Sequence, residues 1–149
     1  MRSSCFKNWR WLLFGGYCMV MLWLLLFHRM GDEVQPWRYN IQPFDTVNRY
    51  LWVLRYGTDP VQRHYAAANL FGNVVLFVPL GIFLPRLFAV LHRFWRYFLL
   101  TVLLIVLLEL TQAATGLGTF DVDDILLNLL GTSIGWLLHF LFTNITSRA

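Results

Sequence analysis

The chain has 149 residues, of which 58% are hydrophobic and 13% are charged. This balance excludes an ordinary soluble domain and indicates a single membrane-embedded domain. The formal net charge of +4 would suggest nucleic-acid binding in a soluble protein. Here the basic residues lie between apolar segments, where retention on one side of a membrane explains them better. We therefore expect membrane lipids, and not nucleic acid, as partners.

Four apolar segments predict an all-α integral membrane protein built as a four-transmembrane-helix bundle. The spans are expected at about residues 11–27, 66–91, 95–114 and 125–142, each near the ~20 residues that a helix needs to cross the hydrocarbon core. Residues 11–142 then form the transmembrane domain, and residues 1–10 and 143–149 form the two terminal tails.

Charged residues between the spans predict the orientation. The positive-inside rule assigns to the cytoplasm the side that carries most basic residues, namely Arg2, Lys7, Arg10, Arg86, Arg93, Arg96 and Arg148. Both termini are then cytoplasmic in a multi-pass membrane protein. Most acidic residues fall outside, whereas five arginines of the first outer loop run against the bias: Arg29, Arg38, Arg49, Arg55 and Arg63.

The first outer loop, about residues 28–65, is too long for a simple connector. Its segment 46–56 places apolar residues at helical spacing, which predicts an amphipathic helix. This helix can lie in the membrane interface, with Trp52, Arg49 and Arg55 at the level of the lipid headgroups. It can equally pack as a loop helix over the mouth of the bundle.

Glu109 interrupts the apolar run of the third predicted span. A charge at bilayer depth costs on the order of a few kcal/mol, so such a residue is expected to face the bundle interior or a wet cavity and to serve a function. Gln112 lies on the same helix face. Polar residues in or beside the neighbouring spans would lie at the same outer end and are further candidates for ligand binding: Asn69, Asn73, Asp121, Asp124 and Asn128. These side chains predict an outward-facing acidic pocket.

The fourth predicted helix carries a stripe of polar and small residues along one face. Spacings of three and four residues connect its members, which are Asp121, Asp124, Asn128, Gly131 and Gly135. The two glycines form a GxxxG pattern that allows close approach of a neighbouring backbone, so the stripe is expected to point inward. If the third span is the close neighbour, the polar residues of both helices meet. In the second span we expect packing at Pro79 and Gly81, with a kink at the proline.

The polar residues also have structural interpretations. Asp121 and Asp123 can cap the start of the fourth helix and complement its dipole. Gln112 and Asn128 can form interhelical hydrogen bonds worth about 0.6 kcal/mol each. We expect no metal and no cofactor, because the histidines are scattered and the chain has no zinc, Walker or dinucleotide-binding motif.

Four motifs, in this order, resemble the VanZ-like family of small bacterial membrane proteins, named after a teicoplanin resistance protein. Residues 40–44 are similar to the family's Pro-Phe segment, and residues 72–81 to its N-x3-F-x-P-x-G motif. Glu109-x-x-Gln112 and Asp121-x-x-Asp124-x3-Asn128-x-x-Gly131 follow at suitable spacing. Many members carry Arg just before the last motif, where this chain has Gly118. An arginine of the outer loop would have to replace it, or the site is more anionic.

The resemblance implies a role in the cell envelope and a link to glycopeptide or lipoglycopeptide resistance, without a settled reaction. Three hypotheses stay open. The first is a non-enzymatic protein whose acidic pocket binds an amphiphilic cationic or lipid-linked cell-wall molecule. The second is an enzyme that modifies a lipid headgroup or cell-wall precursor, with one carboxylate of raised pKa as general acid and another as base. The third is a small proton-linked transporter, for which an oligomer would be needed.

Overall fold

A computed structural model describes residues 5–27 and 39–146 of the chain. Within them lie five α-helices: α1 Cys5–Phe27, α2 Asp45–Tyr56, α3 Pro60–Leu87, α4 Phe94–Thr115 and α5 Val122–Thr146. A short 3₁₀ helix, Ala89–His92, joins α3 to α4. Two-residue strands, β1 Tyr39–Asn40 and β2 Phe120–Asp121, pair in parallel. The predicted all-α fold is confirmed.

Some predictions concern residues 1–4, 28–38 and 147–149, which lie outside the described part of the chain. They include the tail arginines Arg2 and Arg148 and the start of the first outer loop. The side chain of Lys7 also lies outside it.

Four apolar helices occur where four spans are predicted. Three are long and apolar enough to cross a membrane by length and composition: Pro60–Leu87, Phe94–Thr115 and Val122–Ile145. The fourth is the shorter apolar stretch Trp9–Leu25 within α1. This set of helices is consistent with a membrane helical bundle.

The bounds of α3 differ from those of the predicted second span for local reasons. The helix begins at Pro60, ahead of the expected start near residue 66, because the Asp59 side chain accepts a hydrogen bond from the Val61 N–H at 2.9 Å. A proline in the first helical position also favours this start. The helix then continues through Pro79 and ends at Leu87, whereas the predicted end near residue 91 falls in the 3₁₀ helix.

Helices α3 and α5 form the closest pair in the described bundle. Asn73 of α3 contacts Asp124 near the start of α5, and further along α3 the Val78 carbonyl lies against Gly135. Both residue numbers increase together, so the two helices run in parallel. Helix α4 runs antiparallel to them and joins α5 through a hydrogen bond from the Tyr97 hydroxyl to the Thr132 carbonyl at 2.6 Å.

The predicted GxxxG pattern makes backbone contact with α3. A Cβ atom on Gly81 would clash with the Thr132 carbonyl oxygen and lie 2.8 Å from the Cα of Gly135. A Cβ atom on Gly131 would likewise clash with the Val74 carbonyl oxygen. The stripe therefore points inward, and its close neighbour at the glycines is the second predicted span.

The bundle has two chemically different ends. At the basic end, α1 and α4 begin and α3 and α5 finish, as the Trp11–Phe88 ring contact at 5.6 Å shows. It carries Arg10, Arg86, Arg93 and Arg96. At the acidic end, α2 lies over the start of α5. All carboxylates of the described residues are in this half: Asp45, Asp59, Glu109, Asp121, Asp123 and Asp124.

Candidate functional site

The interior of the bundle is polar at the acidic end. Glu109 is only 2% exposed and therefore does not face lipid. The other residues predicted for the pocket are also buried: Asn69, Asn73, Gln112, Asp121, Asp124 and Asn128. Because water and lipid both have little access to these side chains, their polar atoms depend on protein partners or on a bound molecule.

Two of the predicted residues meet directly across the α3–α5 interface. The Asn73 amide donates to Asp124 Oδ1 at 2.6 Å, and both side chains are buried. This is a short side-chain hydrogen bond. Asn73 therefore orients the Asp124 carboxyl group inside the bundle. One turn earlier on α3, the Asn69 amide donates instead to the Tyr65 carbonyl of its own helix at 3.0 Å.

The predicted residues of α4 face α1 and the bundle interior. The Gln112 amide donates to the Leu25 carbonyl at 2.9 Å, which ties α4 to the far end of α1. Glu109 lies three residues earlier, on the same buried face. The second polar atom of Gln112, Oε1, is buried and accepts no hydrogen bond from the described residues. Asn128 Oδ1, one turn beyond Asp124 on α5, is also buried and accepts no hydrogen bond from the described residues.

Asp121 has the structural role that sequence analysis left open. Its Oδ1 accepts the Asp123 N–H at 2.8 Å, which caps the start of α5. Its Oδ2 accepts the Thr46 hydroxyl of α2 at 2.6 Å. Asn40 of β1 donates to Thr46 at 2.9 Å and approaches Asp121 Oδ1 at 3.5 Å. Asp121 therefore fastens the start of the loop helix to the start of α5.

Asp123 caps a helix other than its own. Its Oδ1 accepts the Phe44 N–H at 2.5 Å and its Oδ2 accepts the Val47 N–H at 3.0 Å, both at the N-terminus of α2. The carboxylate is fully buried and complements the positive end of the α2 dipole. Phe44 precedes α2 in a left-handed conformation, at φ 67°, and its side chain cannot cap the helix. This lack of a local cap is the sequence signal that could have indicated an outside carboxylate.

Arg49 of α2 brings a cation close to this cluster. Its Nη2 donates to the Thr46 hydroxyl at 3.1 Å, and Thr46 in turn donates to Asp121. Where many family members carry an arginine, this chain has Gly118, so either an arginine of the outer loop replaces it or the site is more anionic. Arg49 lies in a position that suits this substitution, although it reaches Asp121 through Thr46 and not directly.

Helix α2 covers the acidic end with Val47, Tyr50 and Leu54 half-buried. It exposes Leu51, Trp52 and Tyr56, with Trp52 61% exposed. The Arg55 guanidinium lies 5.4 Å from the centre of the Tyr56 ring. The predicted amphipathic helix is present, and Asp121 and Asp123 fasten it over the start of α5.

The described residues lack the donor set of a metal site. No group of three or more histidine, cysteine or acidic side chains in residues 5–27 and 39–146 could hold an ion. The carboxylate oxygens of Asp121 and Asp123 already accept hydrogen bonds from groups of α2, of α5 and of the residue before α2. Buried carboxylate and amide groups are the polar groups of the bundle interior at the acidic end.

Comparison with known proteins identifies the family. No curated protein and no solved structure gives a significant match to the chain. The model of the family described as VanZ/LLP1, however, matches residues 14–143. That range includes all five α-helices in whole or in large part. It also includes every buried polar residue of the acidic cluster, by which we mean Asn69, Asn73, Glu109, Gln112, Asp121, Asp124 and Asn128. The chain thus belongs to the VanZ/LLP1 family, as its motifs predict, and is a membrane protein of that family.

Proposed function

We propose that this protein lowers the effect of a glycopeptide or lipoglycopeptide at the bacterial cell surface. It does so without catalysis, by binding an amphiphilic cationic molecule or a lipid-linked cell-wall precursor in the buried polar cluster of the acidic end. Family membership supports the link to resistance. The chemistry of the cluster supports the kind of ligand.

Two buried acceptors carry the proposal. Gln112 Oε1 and Asn128 Oδ1 receive no hydrogen bond from any described residue, and leaving a buried acceptor unsatisfied costs about 1–3 kcal/mol. A ligand with N–H donors would recover that free energy. Glu109 lies one turn from Gln112, and Asp124 lies one turn from Asn128. The adjacent carboxylates would therefore favour an ammonium or another cationic donor.

The two aspartates that hold α2 have a different role in this proposal. Asp121 and Asp123 use their oxygens to fix the loop helix. They therefore form the frame of the pocket and not its ligand-binding groups. A ligand would enter where α2 covers the bundle, which makes this helix the element that controls access.

We also propose that α2 lies in the outer membrane interface. Its exposed tryptophan and tyrosine, with Arg49 and Arg55 beside Tyr50 and Tyr56, are typical of a helix at headgroup level. The arginines of the basic end favour a cytoplasmic position for that end. In this orientation both termini are cytoplasmic, and the acidic cluster opens outward to an extracellular or lipid-linked ligand.

Expression in a teicoplanin-sensitive bacterium tests the proposal. Wild type, Glu109→Gln and Asp124→Asn are compared at matched membrane levels. Both variants remove a charge but keep an acceptor oxygen, so the Asn73 hydrogen bond can persist in Asp124→Asn. Asp59→Asn is the matched control, because it removes a carboxylate of the same end that is exposed, and asparagine caps a helix as well as aspartate.

Wild type and Asp59→Asn are expected to reduce the susceptibility of the cells to teicoplanin. Glu109→Gln and Asp124→Asn are expected not to protect the cells. Equal protection by all four proteins, or by none, would contradict the proposal. Lipid and precursor extracts are analysed by mass spectrometry in parallel. A modified species that appears with wild type and disappears with Glu109→Gln would identify an enzyme instead.

A further inference from the structure

A cleft of about 530 Å³ opens at the basic end, among α1, α3, α5 and the 3₁₀ helix. Arg10, Arg86, His92 and His139 line it. These residues lie at the opposite end of the bundle from the acidic cluster. The proposed function therefore gives the cleft no role.

The cleft has an unbalanced positive charge. Within residues 5–27 and 39–146, every carboxylate lies in the acidic half of the bundle. Arg10 and Arg86 are exposed, so both guanidinium groups are available to a partner from outside. An anion is the partner that this end attracts, and guanidinium groups match the oxygens of a phosphate especially well.

The histidines add polar atoms to the same cleft. His92 Nε2 lies 2.8 Å from the Pro85 carbonyl oxygen, and because a carbonyl only accepts, this nitrogen carries the proton. The His92 and His139 rings are 5.9 Å apart. His139 Nδ1 is buried and has no hydrogen-bond partner among the described residues. A bound phosphate oxygen would accept a hydrogen bond from this nitrogen when it carries a proton.

The wall of the cleft becomes apolar toward the centre of the bundle. Leu13 and Phe83 line it together with the arginines. Leu13 follows Arg10 by three residues in a helix that begins at this end, and Phe83 precedes Arg86 by three in a helix that finishes here. Each apolar residue therefore lies about one turn, or ~5 Å, deeper than its arginine. Charge at the entrance above an apolar floor suits an amphiphile.

We propose that this cleft binds the headgroup phosphate of an anionic membrane phospholipid. Arg10 and Arg86 contact the phosphate oxygens, and the first part of an acyl chain lies against Leu13 and Phe83. Basic pockets between transmembrane helices on the cytoplasmic side recognise anionic headgroups through this combination. A free phosphate would use the charges but would leave the apolar floor uncovered.

Native mass spectrometry of the full chain in detergent tests the proposal. The protein is offered equal amounts of phosphatidylglycerol and phosphatidylcholine, and the lipid that stays bound is measured. We expect preferential retention of phosphatidylglycerol. Arg86→Gln should weaken it about fivefold, which is the contribution of one arginine near an anionic surface, and Arg10→Gln should do the same. Arg96→Gln is the matched control, because Arg96 is exposed at the same end and does not line the cleft.

Three results would overturn the proposal. Equal retention of the two lipids would show that the phosphatidylglycerol charge is not recognised. An equal loss in Arg96→Gln would show that the charge of the whole end attracts the lipid, without a built site. Displacement of the lipid by inorganic phosphate at a similar concentration would identify a site for soluble anions. Arg10 and Arg86 are exposed, so thermal unfolding of each variant should match wild type, and either one alone suffices for the test.

Discussion

The same two helices, α3 and α5, are held together in different ways at their two halves. Toward the acidic end, Asn73 and Asp124 join them through a side-chain hydrogen bond of 2.6 Å. Toward the basic end, Gly81 and Gly135 bring the two backbones into contact without any intervening side chain. We refer to these regions as the polar half and the glycine half of the helix pair.

The two halves have different roles: the glycine half holds the helices together, and the polar half contains the buried polar groups. Apolar burial gives little driving force between helices in a membrane, so close backbone packing has to supply much of the association. The glycine half provides this packing and fixes the geometry of the pair. The polar half can then contain buried polar side chains, including acceptor atoms that no described residue satisfies.

Substitution of Gly81 should have the largest effect on stability. Gly81→Ala places a Cβ atom against the backbone of Thr132, Gly135 and Trp136, and overpacking of this kind costs about 1–3 kcal/mol. We expect a loss near the upper limit, because backbone atoms cannot move aside as a flexible side chain can. The free energy of unfolding is measured by SDS titration in mixed micelles.

Gly72→Ala is the matched control on the same helix. No atom outside the local helix lies within 4 Å of a Cβ at Gly72, so this substitution should be neutral or should stabilise α3 by up to about 1 kcal/mol. If the two variants have the same free energy of unfolding, close backbone packing in the glycine half does not determine the geometry of the helix pair.

The polar half should tolerate a change of charge but not the loss of an acceptor. Asp124→Ala leaves the buried Asn73 amide without its acceptor, which should cost about 2 kcal/mol. Asp124→Asn keeps an oxygen in the same position and should cost clearly less. The same SDS titration distinguishes the two. An equal cost would mean that the negative charge itself holds the polar half together.

Helix periodicity predicted the inward face of α5. Spacings of three and four residues place Asp121, Asp124, Asn128, Gly131 and Gly135 on one face, and all five are buried. The burial of Glu109 followed from the cost of a charge in lipid, which leaves the interior as the favourable place. These inferences need only one helix and its solvent, and so they succeed from sequence alone.

The partner of that face could not be predicted in the same way. Periodicity shows which side of a helix is buried, but not which helix covers it, and the glycines of α5 lie against α3. The role of Asp123 depends on a contact between residues 44 and 123. Such a contact arises only when the chain folds back over the bundle, and the unusual cap residue Phe44 was the single local indication of it.

Asp123→Ala should loosen α2, the helix that covers the polar half. It removes the acceptor of two N–H groups at the start of α2, and loss of a helix cap costs about 1–2 kcal/mol. Hydrogen exchange should therefore rise in residues 44–56 more than in α3 or α5. Asp45→Ala is the control, since Asp45 is exposed and in the first turn of the same helix. Exchange that rises equally throughout the bundle would show that Asp123 supports the whole fold and not α2 in particular.

Tyr97→Phe should have the smallest effect, because it changes only how α4 is attached beside the glycine half. The Tyr97 hydroxyl donates to the Thr132 carbonyl at 2.6 Å, the same carbonyl against which a Cβ on Gly81 would clash. A neutral hydrogen bond of this kind contributes about 1 kcal/mol, and Tyr56→Phe, at an exposed ring, should cost nothing measurable in the same titration. If Tyr97→Phe is also neutral, the hydrogen bond does not stabilise the packing of α4 against α5. If it costs as much as Asp124→Ala, the bond that attaches α4 contributes as much to stability as the bond that joins α3 and α5 in the polar half.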